Sequence, residues 1–260
     1  MLNTLEKSHK EFFMKFSTLA IAFILTTASP LALAGHEWGY HFPMGPAQWG
    51  GLEGYSACST GSTQSPVAIE TGVNADIQNV KLSSELPSLN PDLGDVSSRA
   101  VFNGHTVQAP LTGTKFSFGG QEYSAAQYHF HSPSEHALNE RQYPLEAHFV
   151  HQSASGKLLV MGVFFEEGAV NPALEETFKS MNEGELRISI ADLFPRDLSY
   201  VTYQGSLTTP PCSEGVTWIV LKTPVEASRQ QLGLLQKITG GPNNRPIQSQ
   251  NGRDLLTDSL

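Results

Sequence analysis

Cysteine is nearly absent: Cys58 and Cys212 are the only two in 260 residues, so the chain can close at most one internal disulfide. Positive charge is scarce as well, with 16 Lys and Arg against 25 Asp and Glu and a formal net charge of −9. Three of those lysines and two of the acids fall in the first 34 residues, which leaves residues 35–260 at −10. Both nucleic acid and anionic membranes attract basic surfaces, so neither is expected as a partner. No repeat, low-complexity tract or interdomain linker interrupts the chain. The one conspicuous apolar run, Phe16 to about Ala28, is shorter than the roughly 20 apolar residues a spanning helix needs.

That run has the form of an export signal. Lys7, Lys10 and Lys15 precede it, and Ala32-Leu33-Ala34 has the small-x-small pattern of a signal peptidase site. Residues 1–34 are therefore predicted to be a cleaved signal peptide, with no stable membrane span after cleavage; an uncleaved anchor is the alternative. Met14-Lys15 would itself open a conventional signal, so the start at Met1 or Met14 stays open. The remaining 226 residues, 35–260, suit one domain with a substantial core. An exported protein, periplasmic or secreted, favours a Cys58–Cys212 bridge over two free thiols. Loop closure over that separation is worth up to roughly 5 kcal/mol.

Short alternating apolar runs dominate the rest: 100–107, 114–118, 126–131, 146–151, 158–165, 198–204 and 216–221, punctuated by Gly, Pro and Asn. This predicts a mainly β protein with few helices. Asn171-Pro172 caps and opens one helix running to about Met181, and Ser228 caps another running to about Ile238. Residues 83–98, polar and holding two prolines, read as a surface loop.

Histidines supply the chemistry. In Gln127-Tyr128-His129-Phe130-His131, residues two apart share one face of a strand, so His129 and His131 project together about 7 Å apart. The 16 residues before His148 can carry the chain back beside them. Three imidazoles without a thiolate suit zinc and leave a fourth tetrahedral position for water. A His-x-His pair alone is more often polar surface than a ligand pair. Here Gln127 and Glu146 each precede a histidine by two, placing on the same face a group that can accept from its second ring N–H.

With these motifs the chain resembles the α-class carbonic anhydrases, in particular bacterial, exported ones. The resemblance also rests on Ser134-Glu135-His136, Gly205-Ser206-Leu207-Thr208-Thr209-Pro210-Pro211-Cys212, Gln64-Ser65-Pro66, Asn103-Gly104-His105, Val216-Thr217-Trp218 and Asn244-Arg245-Pro246, in family order from about residue 36 to 248. It implies a large, twisted, mixed but mostly antiparallel central sheet with peripheral helices. It also implies a zinc lyase that hydrates carbon dioxide reversibly to bicarbonate and a proton, by attack of zinc-bound hydroxide with proton export through a histidine.

Residue by residue, the resemblance implies one zinc held by His129, His131 and His148, with Gln127 and Glu146 behind the first and third ligands and a backbone carbonyl behind His131. Thr208 matches the family's gatekeeping hydroxyl and Glu135 the carboxylate that takes its hydrogen. Thr209 contacts bicarbonate or an inhibitor anion. Val150, Val160, Leu207, Val216 and Trp218 match an apolar wall for carbon dioxide, although periodicity alone would place them in ordinary core. His105 matches the proton shuttle, and Tyr40 orders cavity water. His136 and His151 are assigned structural hydrogen bonding, and His36 and His41 the surface. Gln108 stands where many relatives have Asn. Sulfonamides and small anions are the inhibitors the family implies. A catalytically silent relative and a copper–zinc dismutase-type protein are the competing classes, and the oligomeric state stays open, a homodimer included.

Overall fold

In the computed structural model, which describes residues 38–71 and 80–258, the alternating runs become strands. The predicted signal segment and His36 lie outside the described residues. In chain order the strands are β1 (Ala68–Ile69), β2 (Val80–Leu82), β3 (Asp95–Ser98), β4 (Val101–Phe102), β5 (Val107–Pro110), β6 (Lys115–Phe118), β7 (Gln121–His131), β8 (Ala137–Leu138), β9 (Arg141–Gln142), β10 (Leu145–Ser153), β11 (Leu158–Glu167), β12 (Leu186–Ser189), β13 (Tyr200–Ser206), β14 (Glu214–Leu221), β15 (Val225–Ala227) and β16 (Leu255–Thr257). The helices are α1 (Ala57–Thr60), α2 (Pro172–Glu183) and α3 (Arg229–Thr239). Among the described residues, no helix is long and apolar enough to cross a membrane.

Eleven strands form one sheet in the order β2-β16-β13-β14-β11-β10-β7-β5-β4, with β6 added on β7 and β15 on β11. Its pairs are mostly antiparallel, the exceptions being β11 with β14 and β15, and β16 with β2. The mixed, mostly antiparallel sheet that the resemblance implies is present. Side chains alternate between its faces. Tyr128, Phe130, Ala147, Phe149, Met161 and Val163 point to one face and pack into a core that includes Leu174 and Phe178 of α2 and Leu232 and Leu235 of α3. The other face carries the histidines and a second cluster around Val160, Val216 and Trp218.

Both long helices start where the caps predicted. Asn171 accepts from the Leu174 N–H at 3.0 Å, and Ser228 and Gln231 close a reciprocal capping box. Caps of this kind are worth about 1 kcal/mol each. Two expectations need correction. Residues 95–98 are strand β3, paired with β12, where the prediction was loop. Its residues, Asp-Val-Ser-Ser, carry a single apolar side chain, so no hydrophobic alternation betrayed it; Val96 and Ser98 are buried all the same. The run 100–107 is not one strand. Asn103 Oδ1 accepts from the N–H groups of His105 and Thr106, closing a turn between β4 and β5 with His105 in it.

His151 shares the core face with Phe149 and donates from Nδ1 to the Phe149 carbonyl at 2.9 Å. Burial pulls its pKa from 6.5 down to about 4, with the Phe149 and Leu159 carbonyls opposing. Between those values the unfolded chain binds a proton there that the folded chain does not. Its contribution is therefore complete above pH 6.5 and is lost as pH falls toward 4, by about 3 kcal/mol in all. In urea unfolding measured from pH 7 to 4, His151→Gln should show a shallower pH slope, by up to one proton. An unchanged slope would assign the acid sensitivity elsewhere.

Candidate metal centre

Antiparallel pairing of β7 and β10 puts His129 opposite His148 and His131 opposite Glu146, all on one sheet face. The three imidazoles of His129, His131 and His148 each bring one ring nitrogen within 4.8 Å of the others. Every second ring nitrogen is tied. His129 Nδ1 donates to Gln127 Oε1 at 2.9 Å, His131 Nδ1 to the Asn243 carbonyl at 2.7 Å, and His148 Nε2 to Glu146 Oε1 at 2.8 Å. These bonds leave Nε2 of His129, Nε2 of His131 and Nδ1 of His148 as the free donors.

Burial lowers the pKa of all three, with His131 falling to about 4, and neighbouring imidazoles push His129 further the same way. The rings are therefore neutral at neutral pH, with lone pairs available. His131 Nε2 is buried without any hydrogen-bond partner, an arrangement that costs free energy unless something else binds there. A set of three neutral imidazoles with one orphaned nitrogen fits a tetrahedral divalent cation that keeps one position open.

Glu146, fully buried, organises the surroundings. Its Oε2 accepts from the N–H groups of Glu135 and His136, while its Oε1 accepts from His136 Nδ1 and His148 Nε2. Burial works to raise its pKa, but His136 and His148 outweigh that and hold it well below the usual carboxylate range. Gly162 on β11 sits opposite His148. A Cβ there would lie 2.8 Å from Glu146 Oε1, so the carboxylate needs a glycine behind it. His136 is hydrogen-bonded at its other nitrogen to the Tyr203 hydroxyl, the structural role expected of it.

Glu135 is fully buried rather than a solvated turn residue. Its Oε1 accepts from the Arg245 N–H at 2.8 Å. Its Oε2 stands 3.5 Å from His131 Nε2 and 3.8 Å from His148 Nδ1 and makes no hydrogen bond. Burial raises its pKa to about 7, opposed first by His148 and then by the nearby Thr208 hydroxyl. Thr208 is buried, and Thr209 lines the cavity.

Val160, Val216 and Trp218 form one buried cluster with Val150 and Leu207 packed against it. The Trp218 ring lies 4.8 Å from that of His148, so the apolar side chains predicted as a wall do gather beside the histidines. On the other side a cavity of 130 Å³ is lined by Trp38, Tyr40, His105, Gln108, His129 and Thr209, among others. Gln108 accepts from Asn103 Nδ2 at 3.0 Å, which ties its side chain to the turn. Burial raises the Tyr40 pKa well above its usual value, with Glu135 adding to the effect. His105 stacks on Trp38, with ring centres 3.7 Å apart and planes 6° from parallel, and burial lowers its pKa. Cys58 and Cys212 are joined in a disulfide. A larger groove of 340 Å³, lined by residues of α2 and α3 such as Phe178 and Leu234, lies away from these groups.

Sequence reasoning singled out neither Asn243, Gly162, Tyr203 nor Trp38 for a role. Of these, Trp38 stood within reach, as one of three aromatic residues at alternate positions, Trp38, Tyr40 and Phe42.

Residues 44–259 match the family model described as eukaryotic-type carbonic anhydrase. A carbonic anhydrase of Pectobacterium atrosepticum is 38% identical over 229 residues, covering 85% of this chain and 90% of that protein. The α-carbonic anhydrase of Thermovibrio ammonificans, solved with the inhibitor sulfanilamide, superposes with a TM-score of 0.76 at 41% identity, covering 85% of this chain and 98% of that one. Dioscorin, solved with ascorbate, also superposes at 0.76, with 30% identity over 86% of this chain and 99% of its own. Together with the histidine cluster these matches establish that the chain belongs to the α-carbonic anhydrase family, enzymes that interconvert carbon dioxide and bicarbonate.

Proposed function

We propose that His129, His131 and His148 hold one zinc ion and that the cavity beside them hydrates carbon dioxide, with His105 moving the proton out. The convergence of three neutral ring nitrogens, each with its second nitrogen anchored, carries this reading. Zinc in an N3 site supplies Lewis acidity that makes hydroxide available near neutral pH.

The chain's own groups do the rest. Arg245 N–H holds Glu135 Oε1, which keeps Oε2 beside the histidines and the carboxylate within reach of the Thr208 hydroxyl. A Thr208 hydroxyl whose hydrogen is committed to Glu135 can only accept, so the reacting water turns its O–H toward Thr208 and a lone pair toward carbon. Carbon dioxide has no net dipole and is received on the apolar side formed by Val150, Val160, Leu207, Val216 and Trp218. Thr209, at the cavity wall, contacts the bicarbonate formed, and Tyr40 helps order the cavity water. Sulfonamides and small anions are the inhibitors expected at the same place. Residues 1–34 would be removed on export to the periplasm or beyond, leaving 35–260 as one catalytic domain.

Stopped-flow hydration of carbon dioxide, with and without a chelator, tests the whole reading together with metal analysis. One zinc and no copper per chain is expected; a chelator-insensitive rate would overturn it. A separate arm addresses the proton. An acid of pKa near 7 gives its proton to bulk water at only roughly 10³ per second if recombination is diffusion-limited. Faster turnover needs a carrier, and His105 lines the cavity as an imidazole whose ordinary pKa lies close to that of the donor, although burial lowers it and weakens it as an acceptor. His105→Ala should keep its zinc and most of kcat/KM, lose kcat in dilute buffer and recover it with added imidazole. An unchanged kcat in dilute buffer would remove His105 from the role.

A further inference from the structure

Arg245 is 2% exposed, and among the described residues no carboxylate forms an ion pair with it. Its guanidinium instead spreads over three neutral oxygens. Nη1 donates to Gln64 Oε1 and the Ser65 carbonyl, both at 2.8 Å, and Nη2 donates to the Cys58 carbonyl at 2.7 Å. Burying a cation is costly without full hydrogen bonding. These partners are not scattered. Cys58 is bridged to Cys212, and Gln64 Nε2 donates to the Cys212 carbonyl at 3.1 Å. Cys212 closes the turn that carries Thr208: its N–H donates to the Thr209 carbonyl, and Leu207 N–H donates to Ser213. The main-chain N–H of the same Arg245 holds Glu135. A closed circuit thus runs from Glu135 through Arg245 to Cys58, across the disulfide to Cys212, and along the turn to Thr208, the other half of the gate.

We propose that Arg245 is a positioning residue for the reaction, coupling the Cys58–Cys212 bridge to the Glu135–Thr208 pair through its guanidinium. The circuit fixes both ends of that pair from one residue, Glu135 through the Arg245 main-chain N–H and the Thr208 turn through its guanidinium. Removing either the bridge or the guanidinium opens the same loop, so the two losses overlap rather than add. A displacement on the order of 1 Å can cost ~100-fold, and a smaller shift, with the Arg245 main-chain bond to Glu135 kept, makes a ~10-fold change in kcat/KM the expected scale. The proposal rests on the gate described above.

A double-mutant cycle tests it. Arg245→Gln, Cys58→Ser with Cys212→Ser, and the three changes combined are compared for zinc content, for kcat and KM separately, and for amide exchange of residues 205–214 in the metal-free proteins. All should retain one zinc. Each arm should lower kcat/KM ~10-fold and speed exchange of that segment, and the combined protein should be no worse than either arm. Arg245→Lys, which keeps one strong donor, should recover part of the rate. Multiplying effects in the combined protein, or unchanged exchange at 205–214 in Arg245→Gln, would overturn the coupling. If Arg245→Gln does not fold, Arg245→Lys takes its place in the cycle, because one ammonium nitrogen replaces the two guanidinium nitrogens that bond Gln64, Ser65 and Cys58; multiplying effects there overturn it equally. A parent enzyme without hydration activity would sink the functional reading instead, while the exchange arm would still report on Arg245.

Discussion

Alanine at any one of His129, His131 or His148 should strip most of the zinc from the protein and abolish nearly all carbon dioxide hydration. Two imidazoles cannot hold a tetrahedral ion tightly, and the groups behind the rings cannot step in. Gln127, Asn243 and Glu146 face the far nitrogens of the rings and are already committed to them. Glu135 Oε2 is the one unbonded oxygen nearby, 3.5 Å from His131 Nε2. The folded scaffold should survive the change, because all three rings are neutral before metal arrives and, where His148 is truncated, Glu146 keeps His136 and two main-chain N–H groups as donors. Zinc per chain by elemental analysis, read beside the stopped-flow rate, checks this. Full zinc occupancy with a normal rate in any one variant would defeat the ligand assignment.

Glu146→Ala should be the most destabilising single change at the site. From position and chemistry alone Glu146 supports one histidine, and its loss would cost ~10- to 100-fold in zinc affinity. The folded chain gives it more to do. Four donors converge on it, two of them main-chain N–H groups of Glu135 and His136, and all are buried. Removing the acceptor strands them, a loss on the scale of a broken buried pair, about 3–5 kcal/mol. Denaturant unfolding of metal-free protein isolates that cost from the zinc cost, which chelator competition measures. Unaltered stability without metal would mean the four donors find other partners. A zinc loss as large as that from a missing ligand would mean Glu146 itself touches the metal. Gly162→Ala offers a milder version, since its methyl would press on the same carboxylate oxygen.

Local chemistry carried much of this protein in plain sight. Period-two alternation put Gln127, His129 and His131 on one face of their strand and Glu146 and His148 on one face of theirs, whatever lay beside them. The caps at Asn171 and Ser228 are short-range hydrogen bonds written in adjacent residues, so the helix starts were legible. What alternation does not contain is register. Only the folded sheet decides that His129 faces His148 and that a glycine stands opposite it to admit the Glu146 carboxylate. The break at residues 103–106 leaves no mark on the hydrophobic pattern, and its sign in the sequence is the turn-forming Asn103-Gly104 pair. Glu135 carries no local sign of its full burial: its Oε1 meets the main-chain N–H of Arg245, 110 residues away. The partner of His131 was the least accessible of all. It is the carbonyl of Asn243, 112 residues on, and every residue carries such an oxygen, so only the tertiary fold can choose which one the histidine meets.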